Sequence, residues 1–272
     1  GPHNPLILLP FFFLFFKYMS RYLLIDGNAL VHRAFHALPP MTTQSGEVTN
    51  AVYGFTMILL RTIKDLKPTH IACAFDLAGP TFRHEQYKEY KGTRVKAAQE
   101  LYDQIPRIKE VVAALNIPIF EKKGFEADDV LGTLAKTLCE KENGKGRVMV
   151  LTGDLDTLQL VNNCIHIYTI RKGLSDMFIY DPAAVRDRFG LRPDQMLDYK
   201  ALRGDPSDNI KGVTGIGEKG AAVLIKDFGS IDKMYEAIKS GKAEGKIKPK
   251  TLQLLIDQEK DARFAYELST IV

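Results

Sequence analysis

The chain has 272 residues, 45% hydrophobic and 26% charged, which excludes a disordered or collagen-like polymer and fits one large domain or two small ones. Lys and Arg number 37 against 33 Asp and Glu, a net +4 that identifies no partner by itself. Cys73, Cys139 and Cys164 form no CxxC pair, so a disulfide scaffold or a cysteine zinc site is not expected and a reducing cytosol fits.

The first segment is apolar. Pro5–Phe16 is twelve residues long, whereas a membrane-spanning helix needs about 20. No Lys or Arg precedes the run and no small-residue cleavage site follows it, which argues against a signal peptide. Gly1-Pro2 resembles the scar left by a tag-cleaving protease. Residues 1–18 are therefore expected to lie outside the native fold, with the working protein starting near Met19. An apolar arm packed on the body or on a neighbouring copy, and a membrane anchor, are the alternative readings.

From there buried strands alternate with helices. Tyr22–Asp26, His70–Asp76, Val148–Thr152 and Cys164–Ile170 are continuous apolar runs, the pattern of strands covered on both faces. Ala51–Leu66, Gln99–Leu115, Ala127–Lys141 and Thr157–Val161 read as helices between them. This order predicts an α/β fold with a mostly parallel central sheet over 19–181. Beyond it Pro182–Phe189, Pro193–Leu202, Gly217–Phe228, Ile231–Ser240 and Pro249–Tyr266 predict an all-α lobe over 182–272.

The acids fall at the ends of the predicted strands. Asp26 and Asp76 close two of them, and Asp154 and Asp156 follow a third. In an open parallel sheet the active crevice lies outside the carboxyl ends of the strands, so these four are expected to converge. Glu126, Asp128 and Asp129 open a predicted helix, with Glu126 and Asp129 on one face. Asp205 and Asp208 form another pair at the lobe junction. Nine carboxylates in one crevice repel unless cations intervene. An oxygen-only donor set without His or Cys favours Mg²⁺ or Mn²⁺ over zinc. Two such ions about 4 Å apart can hold the attacking and leaving oxygens of a phosphoryl displacement. Removing the nine from the 33 acids leaves 24 against 37 bases, so the rest of the protein suits a polyanionic substrate.

Each acid also has a bland reading. Asp26 and Asp76 can be turn acids, and Asp156 can cap a helix with Gln159 at capping-box spacing. Asp128 and Asp129 can complement a helix dipole, and Asp205 and Asp208 can shape a Pro-containing turn.

Two further motifs point to phosphate. Gly212–Lys219, GVTGIGEK, leads into an apolar helix whose free N–H groups bind phosphate, with Gly215 and Gly217 allowing close approach and Lys219 adding a cation. No strand precedes it, so it is not a dinucleotide fingerprint; it resembles the hairpin of a helix-hairpin-helix DNA-binding module, and a plain helix–helix turn is the alternative. Residues 79–98 carry Arg83, His84, Lys88, Lys91, Arg94 and Lys96 interleaved with Phe82, Tyr87 and Tyr90. That is either a solvated loop or an arch over single-stranded nucleic acid.

LIDGN at 24–28, AFD at 74–76, FRHEQYKEYKGTR at 82–94, GFEADDVL at 124–131, LTGDLDTLQLV at 151–161 and RGDPSDNIKGVTGIGEKGAAVLI at 203–225 resemble the 5′-nuclease (flap endonuclease) family, most of all the N-terminal 5′→3′ exonuclease domains of the bacterial DNA polymerase I family. The resemblance runs from about Met19 to the C-terminus. It implies a PIN-like or resolvase-like core with a helical arch and a helix-hairpin-helix lobe. It implies a Mg²⁺-dependent nuclease that cuts DNA where a 5′ single strand meets duplex, in primer or flap removal during replication and repair. By resemblance Asp26, Asp76, Glu126 and Asp128 serve mainly a first ion, with Mn²⁺ as a substitute for Mg²⁺. Asp129, Asp154, Asp156 and Asp208 serve mainly a second, with Asp205 in outer support. Lys91 and Arg94 match arch residues that steer and polarise the scissile phosphate. Arg83, Tyr87, Lys88 and Lys96 become DNA contacts, with Tyr87 as a stacking platform. Gly215, Gly217 and Lys219 hold the duplex, with K⁺ at the hairpin. A cytoplasmic, nucleoid-associated monomer without a membrane partner, cut from a longer chain with polymerase domains, completes the expectation, with a stand-alone relative as the alternative.

Gly220 and Thr214 stand where the family commonly has Thr and Pro, and VKAA at 95–98 lacks the usual proline. Three other functions compete: a non-catalytic junction-binding relative, a PIN-like RNA nuclease, and a phosphatase using the DLD at 154–156. None of the nine acids is lost, the glycine hairpin is present, and the basic segment is unexplained by a phosphatase.

Overall fold

In the computed structural model, which describes residues 20–272, the first buried run forms β1 (Arg21–Asp26). The expectations for residues 1–18 and for a start at Met19 lie outside the described residues. Along β1, Leu23 and Ile25 enter one core while Tyr22 and Leu24 enter another, as the two-residue period of a strand requires. The strand reads as a continuous apolar run because both faces of the sheet are covered.

β2 (His70–Ala74), β3 (Ile119–Phe120), β4 (Arg147–Leu151) and β5 (Ile165–Lys172) continue the parallel sheet, and β6 (Asp176–Tyr180) turns back antiparallel. The order β3-β2-β1-β4-β5-β6 puts β1 at the centre. The expected α/β class and parallel sheet are present, with two strands more than the sequence reading named. β3 has only two residues, and β6 is an edge strand too mixed in polarity to register as a buried run.

α1 (Gly27–Ala37), α2 (Asn50–Leu66), α3 (Phe82–Gln86), α4 (Gln99–Asp103), α5 (Ile105–Ala114) and α6 (Ala127–Lys141) accompany the sheet, with a 3-10 turn at Leu155–Leu160. α1, α2, α4 and α5 pack on one face, α6 and the 3-10 turn on the other. α1 was not among the expected helices. Asp26, read only as the end of a strand, also caps it by accepting from the Ala29 N–H at 3.0 Å. The single helix expected over Gln99–Leu115 breaks at Gln104, whose buried side chain turns away to accept from the Ala51 and Val52 N–H groups at 2.8 and 3.2 Å. Those donors belong to the first turn of α2, where no side chain of the cap residue Thr49 serves them.

The helical part that follows β6 contains α7 (Pro182–Phe189), α8 (Met196–Arg203), α9 (Glu218–Phe228), α10 (Ile231–Lys239), α11 (Pro249–Asp257) and α12 (Glu259–Ser269). Its buried residues Tyr199, Leu224, Tyr235 and Leu255 join the core beneath α6, so sheet and lobe share one apolar interior. Among the described residues no helix is long and apolar enough to cross a membrane.

One expectation about the cysteines is corrected. Cys139 on α6 and Cys164 just before β5 are joined in a disulfide, and Cys73 alone is free and buried. The partners lie 25 residues apart and meet only because α6 packs across β4 and β5, which no local spacing announces.

Candidate metal centre and nucleic-acid interface

The carboxyl edge of the sheet gathers the acids. Asp26 pairs in register with Ala74, and Ile25 with Leu151, so Asp76 and Asp154 extend beyond the same edge. Asp26 accepts from the Thr152 hydroxyl at 2.8 Å, and Asp76 accepts from the Ala127 N–H at 2.7 Å, docking the start of α6 beside β2. A cavity of about 880 Å³ opens there; Asp26, Asp76, Glu126, Asp128, Asp154, Asp156 and Asp205 line it together with Lys91, Arg94 and Lys200. Asp208 lies against it, with carboxylate oxygens of Asp156, Asp205 and Asp208 within 4.8 Å of one another.

Asp129 and Arg83 depart from the expectation. Arg83 is 2% exposed and donates to both oxygens of Asp129 at 2.7 Å. It also donates to the carbonyls of Leu268 and Thr270 at 2.9 and 2.7 Å. Asp129 in addition accepts from the Glu126 and Val272 N–H groups, so its lone pairs are committed. The pair is an interior cross-tie between α3, α6 and the chain end: Arg83 is not at a DNA-facing surface and Asp129 does not line the cavity. Sequence spacing put Asp129 on the Glu126 face, but the capping box that joins the two turns it inward.

Lys200, absent from the sequence reading, is the other discovery of the interior. It is 7% exposed on α8, and its ammonium donates to Asp205 Oδ2 at 2.6 Å and contacts Asp156 Oδ2. Its signal was a lysine about one helical turn before the Asp205–Asp208 pair. Tyr90 was also underrated: its hydroxyl lies 3.1 Å from both Glu126 and Asp208.

Burial pushes Asp26 up to about 7, with Asp76 and Asp154 adding to the rise. Burial does the same to Asp156, helped by Asp154, again to about 7. Asp76 and Asp128 are also raised, chiefly by burial. Asp205 goes the other way: burial opposes its ionisation, but Lys200 and Ser207 outweigh that and hold it at about 2. Asp128 Oδ1 is buried without any hydrogen-bond partner. A buried carboxylate oxygen left unpaired, among acids too crowded to ionise together, fits a hard divalent cation. His32 and His36 also line the cavity, contrary to the expected absence of His there, but the group whose donor atoms cluster, Asp156, Asp205 and Asp208, is all oxygen, as Mg²⁺ or Mn²⁺ prefers.

The basic segment is pinned to the lobe. The Lys91 N–H donates to the Asp208 carbonyl at 2.9 Å, Arg94 Nε to the Ser207 carbonyl at 3.1 Å, and Asn209 Nδ2 to the Glu89 carbonyl at 2.8 Å. Lys91 Nζ then reaches Glu126 at 2.8 Å, and the Arg94 guanidinium contacts Asp208. Tyr87 meets Phe264 in a T-shaped contact and its hydroxyl donates to Glu89 at 3.0 Å. Lys88 and Lys96 are exposed.

The glycine hairpin is built by close backbone contact. A Cβ on Gly212 would meet the Gly204 nitrogen at 2.3 Å, which excludes any other residue there. Gly215 has φ +97°, and Gly217 precedes α9 without a side-chain cap. Gln258, at the break between α11 and α12, accepts from the Thr214 N–H at 2.8 Å and holds the turn from behind. Gly215, Gly217 and Lys219 are all exposed.

Residues 21–190 match the family described as 5'-3' exonuclease, N-terminal resolvase-like domain, and residues 191–272 match 5'-3' exonuclease, C-terminal SAM fold. The chain belongs to the 5'-3' exonuclease family. DNA polymerase I of Bacillus subtilis (strain 168) is 44% identical over 254 residues, covering 93% of this chain and 28% of that protein. The chain thus spans about a quarter of the length of the curated relatives it matches. Among solved structures, the bacteriophage T5 flap endonuclease in a pseudo-enzyme-product complex with DNA and metal ions aligns with a TM-score of 0.72 at 20% identity, covering 93% of this chain and 89% of that one. The catalytic core of Rad2 with DNA substrate aligns at 0.55 and 16% identity, covering 93% and 79%. At these identities the likeness is one of fold. Within the exonuclease family's two units, the cavity gathers acids from both: Asp26, Asp76, Glu126, Asp128, Asp154 and Asp156 from the resolvase-like part, and Asp205, with Asp208 against it, from the SAM fold.

Proposed function

We propose that this chain is a divalent-metal-dependent 5′→3′ exonuclease and flap endonuclease domain that hydrolyses DNA phosphodiesters where a 5′ single strand meets duplex. The observation that carries the reading is the convergence of seven carboxylates on one cavity, flanked by Lys91 and Arg94. Family membership, and relatives named as DNA polymerase I, support it. Asp26, Asp76, Glu126 and Asp128 would hold one Mg²⁺; Asp154, Asp156 and Asp208 would hold a second, with Asp205 in support. When bound, such ions supply an activated water nucleophile and charge compensation at the leaving oxygen.

The chain's own residues do the rest. Thr152 and the Ala127 N–H fix the Asp26 and Asp76 carboxylates in place. Lys91 and Arg94 offset charge that grows on the non-bridging phosphate oxygens. The exposed N–H groups after Gly217, with Lys219, grip the duplex backbone, so recognition follows shape and not sequence. K⁺ at the hairpin, a monomeric cytoplasmic protein, and covalently attached polymerase domains belong to the same proposal. The phosphatase and RNA-nuclease readings are separated from it by one assay. A labelled 5′-flap duplex, a single-stranded RNA and a small phosphate ester are each incubated with Mg²⁺ and with chelator. Cleavage of the flap alone, lost with chelator, is expected; turnover of the ester or the RNA in its place would overturn the reading.

A further inference from the structure

The two halves of the carboxylate cluster differ in one respect. Among the described residues, Asp26, Asp76 and Asp128 form no salt bridge with any Lys or Arg: Asp26 is served by a backbone N–H and a hydroxyl, Asp76 by a backbone N–H, and Asp128 Oδ1 by nothing. Asp156 and Asp205 instead share the ammonium of Lys200. Asp205 is fully engaged, since its other oxygen accepts from the Ser207 N–H at 2.9 Å and the Ser207 hydroxyl at 2.6 Å.

Lys200 differs from the other cations around the cavity. Arg94, on Asp208, has a side chain 48% exposed and belongs to the basic segment outside the core, so it has room to swing into solvent. The Lys200 side chain is 9% exposed on a helix whose neighbours Tyr199, Ala201 and Leu202 are core residues. Its stem has no open path away from the acids. A divalent ion that reaches Asp154, Asp156 and Asp208, with Asp205 in support, therefore meets a fixed positive charge already bonded to Asp156 and to the supporting Asp205. An ion that reaches Asp26, Asp76, Glu126 and Asp128 meets Lys91 on Glu126 at 2.8 Å, but that side chain is 22% exposed and has room to leave, while Arg83, 3.6 Å from Glu126, is spent on Asp129.

We propose that Lys200 is the resident counter-ion of Asp156 and Asp205 and holds the cation affinity of the site formed by Asp154, Asp156 and Asp208 below that of the site formed by Asp26, Asp76, Glu126 and Asp128. The inference rests on the metal-dependent reading above. Lys200 acts through the ligands and is a positioning residue. In the metal-free chain it keeps two acids in place without an ion. It also leaves the second ion dependent on donors from elsewhere, such as a phosphate oxygen of the substrate.

The test is a titration of the metal-free full chain with Mn²⁺ in the absence of DNA, free Mn²⁺ being read by its electron paramagnetic resonance signal. The wild type should show two classes of site whose dissociation constants differ by about tenfold or more, the scale of one unit charge beside the donors even at a dielectric close to that of water. Lys200→Gln keeps a hydrogen-bond donor and removes the charge. It should tighten the weaker class by about tenfold and leave the stronger class unchanged. Lys200→Arg should retain the wild-type gap. A weaker class that is unchanged or loosened in Lys200→Gln overturns the proposal, because a merely structural lysine would spoil its ligands. Equal affinities in the wild type overturn it without any variant, as does loss of the gap in Lys200→Arg, so it remains falsifiable if Lys200→Gln does not fold. Absence of any Mn²⁺ binding to the wild type overturns the metal-centre reading beneath it as well.

Discussion

Arg83 donates to both oxygens of Asp129, at 2.7 Å each, in the interior between α3 and α6. Removing one member of such a pair strands the other charge, which costs about 3–5 kcal/mol. Arg83→Met should therefore lower the urea midpoint sharply while the remaining folded protein keeps its DNA affinity. Arg83→Met combined with Asp129→Leu should recover much of the loss. A variant of normal stability with lost DNA binding would return Arg83 to the substrate interface.

Lys91 combines a charge with an unusual backbone. Its φ is +55°, a conformation that costs a side-chain-bearing residue about 1–2 kcal/mol. Lys91→Gly relieves that cost and Lys91→Ala does not, yet both remove the ammonium beside Glu126. The two variants should differ in stability and agree in single-turnover cleavage, each slower by about 10²-fold with duplex binding little changed. A binding defect larger than the rate defect would make Lys91 a steering charge only.

The raised acids give a signature in the metal-free protein. Asp26 stands at about 7 when folded and near 4 when unfolded, so between these values the folded state holds the extra proton. Stability in chelator should rise as pH falls from about 7.5 to about 5.5. His32 and His166, lowered by burial, act in the opposite sense below their ordinary range. The comparison that isolates the carboxyl is Asp26→Asn, whose urea midpoint should gain less over the same interval. Identical gains in the two proteins would contradict the burial of an ionisable Asp26. Asp205, held at about 2, contributes stability that is lost only in strong acid.

At the hairpin, Gly215→Ala meets φ +97° and Leu254 at 3.0 Å, and should cost at least about 1 kcal/mol. Lys219→Ala leaves the backbone alone and removes one phosphate contact. The slope of log affinity against log salt should fall by about 1. An unchanged slope would place Lys219 away from the DNA.

Much of this site was legible because it obeys a rule of topology. Parallel strands put their last residues at one edge, so Asp26, Asp76 and Asp154 declared themselves by position alone. The same reading failed where a side chain's direction depends on packing. Asp129 shares a helix face with Glu126, yet its carboxylate is consumed by the capping box and by Arg83. The Phe264 contact of Tyr87, from the far end of the chain, was likewise not legible in the sequence. Lys200 was overlooked because a lysine in an amphipathic helix reads as solvated, and only the fold brings the 3-10 turn carrying Asp156 against it. The Cys139–Cys164 bond was hidden for the same reason.

The central claim is that these carboxylates form a centre for divalent cations, and anomalous scattering from Mn²⁺-soaked crystals tests it most directly. The expected map has its strongest peak among Asp26, Asp76 and Asp128, and a second beside Asp156 and Asp208. Full Mn²⁺ occupancy elsewhere on the protein, with no peak in this cavity, would contradict the account.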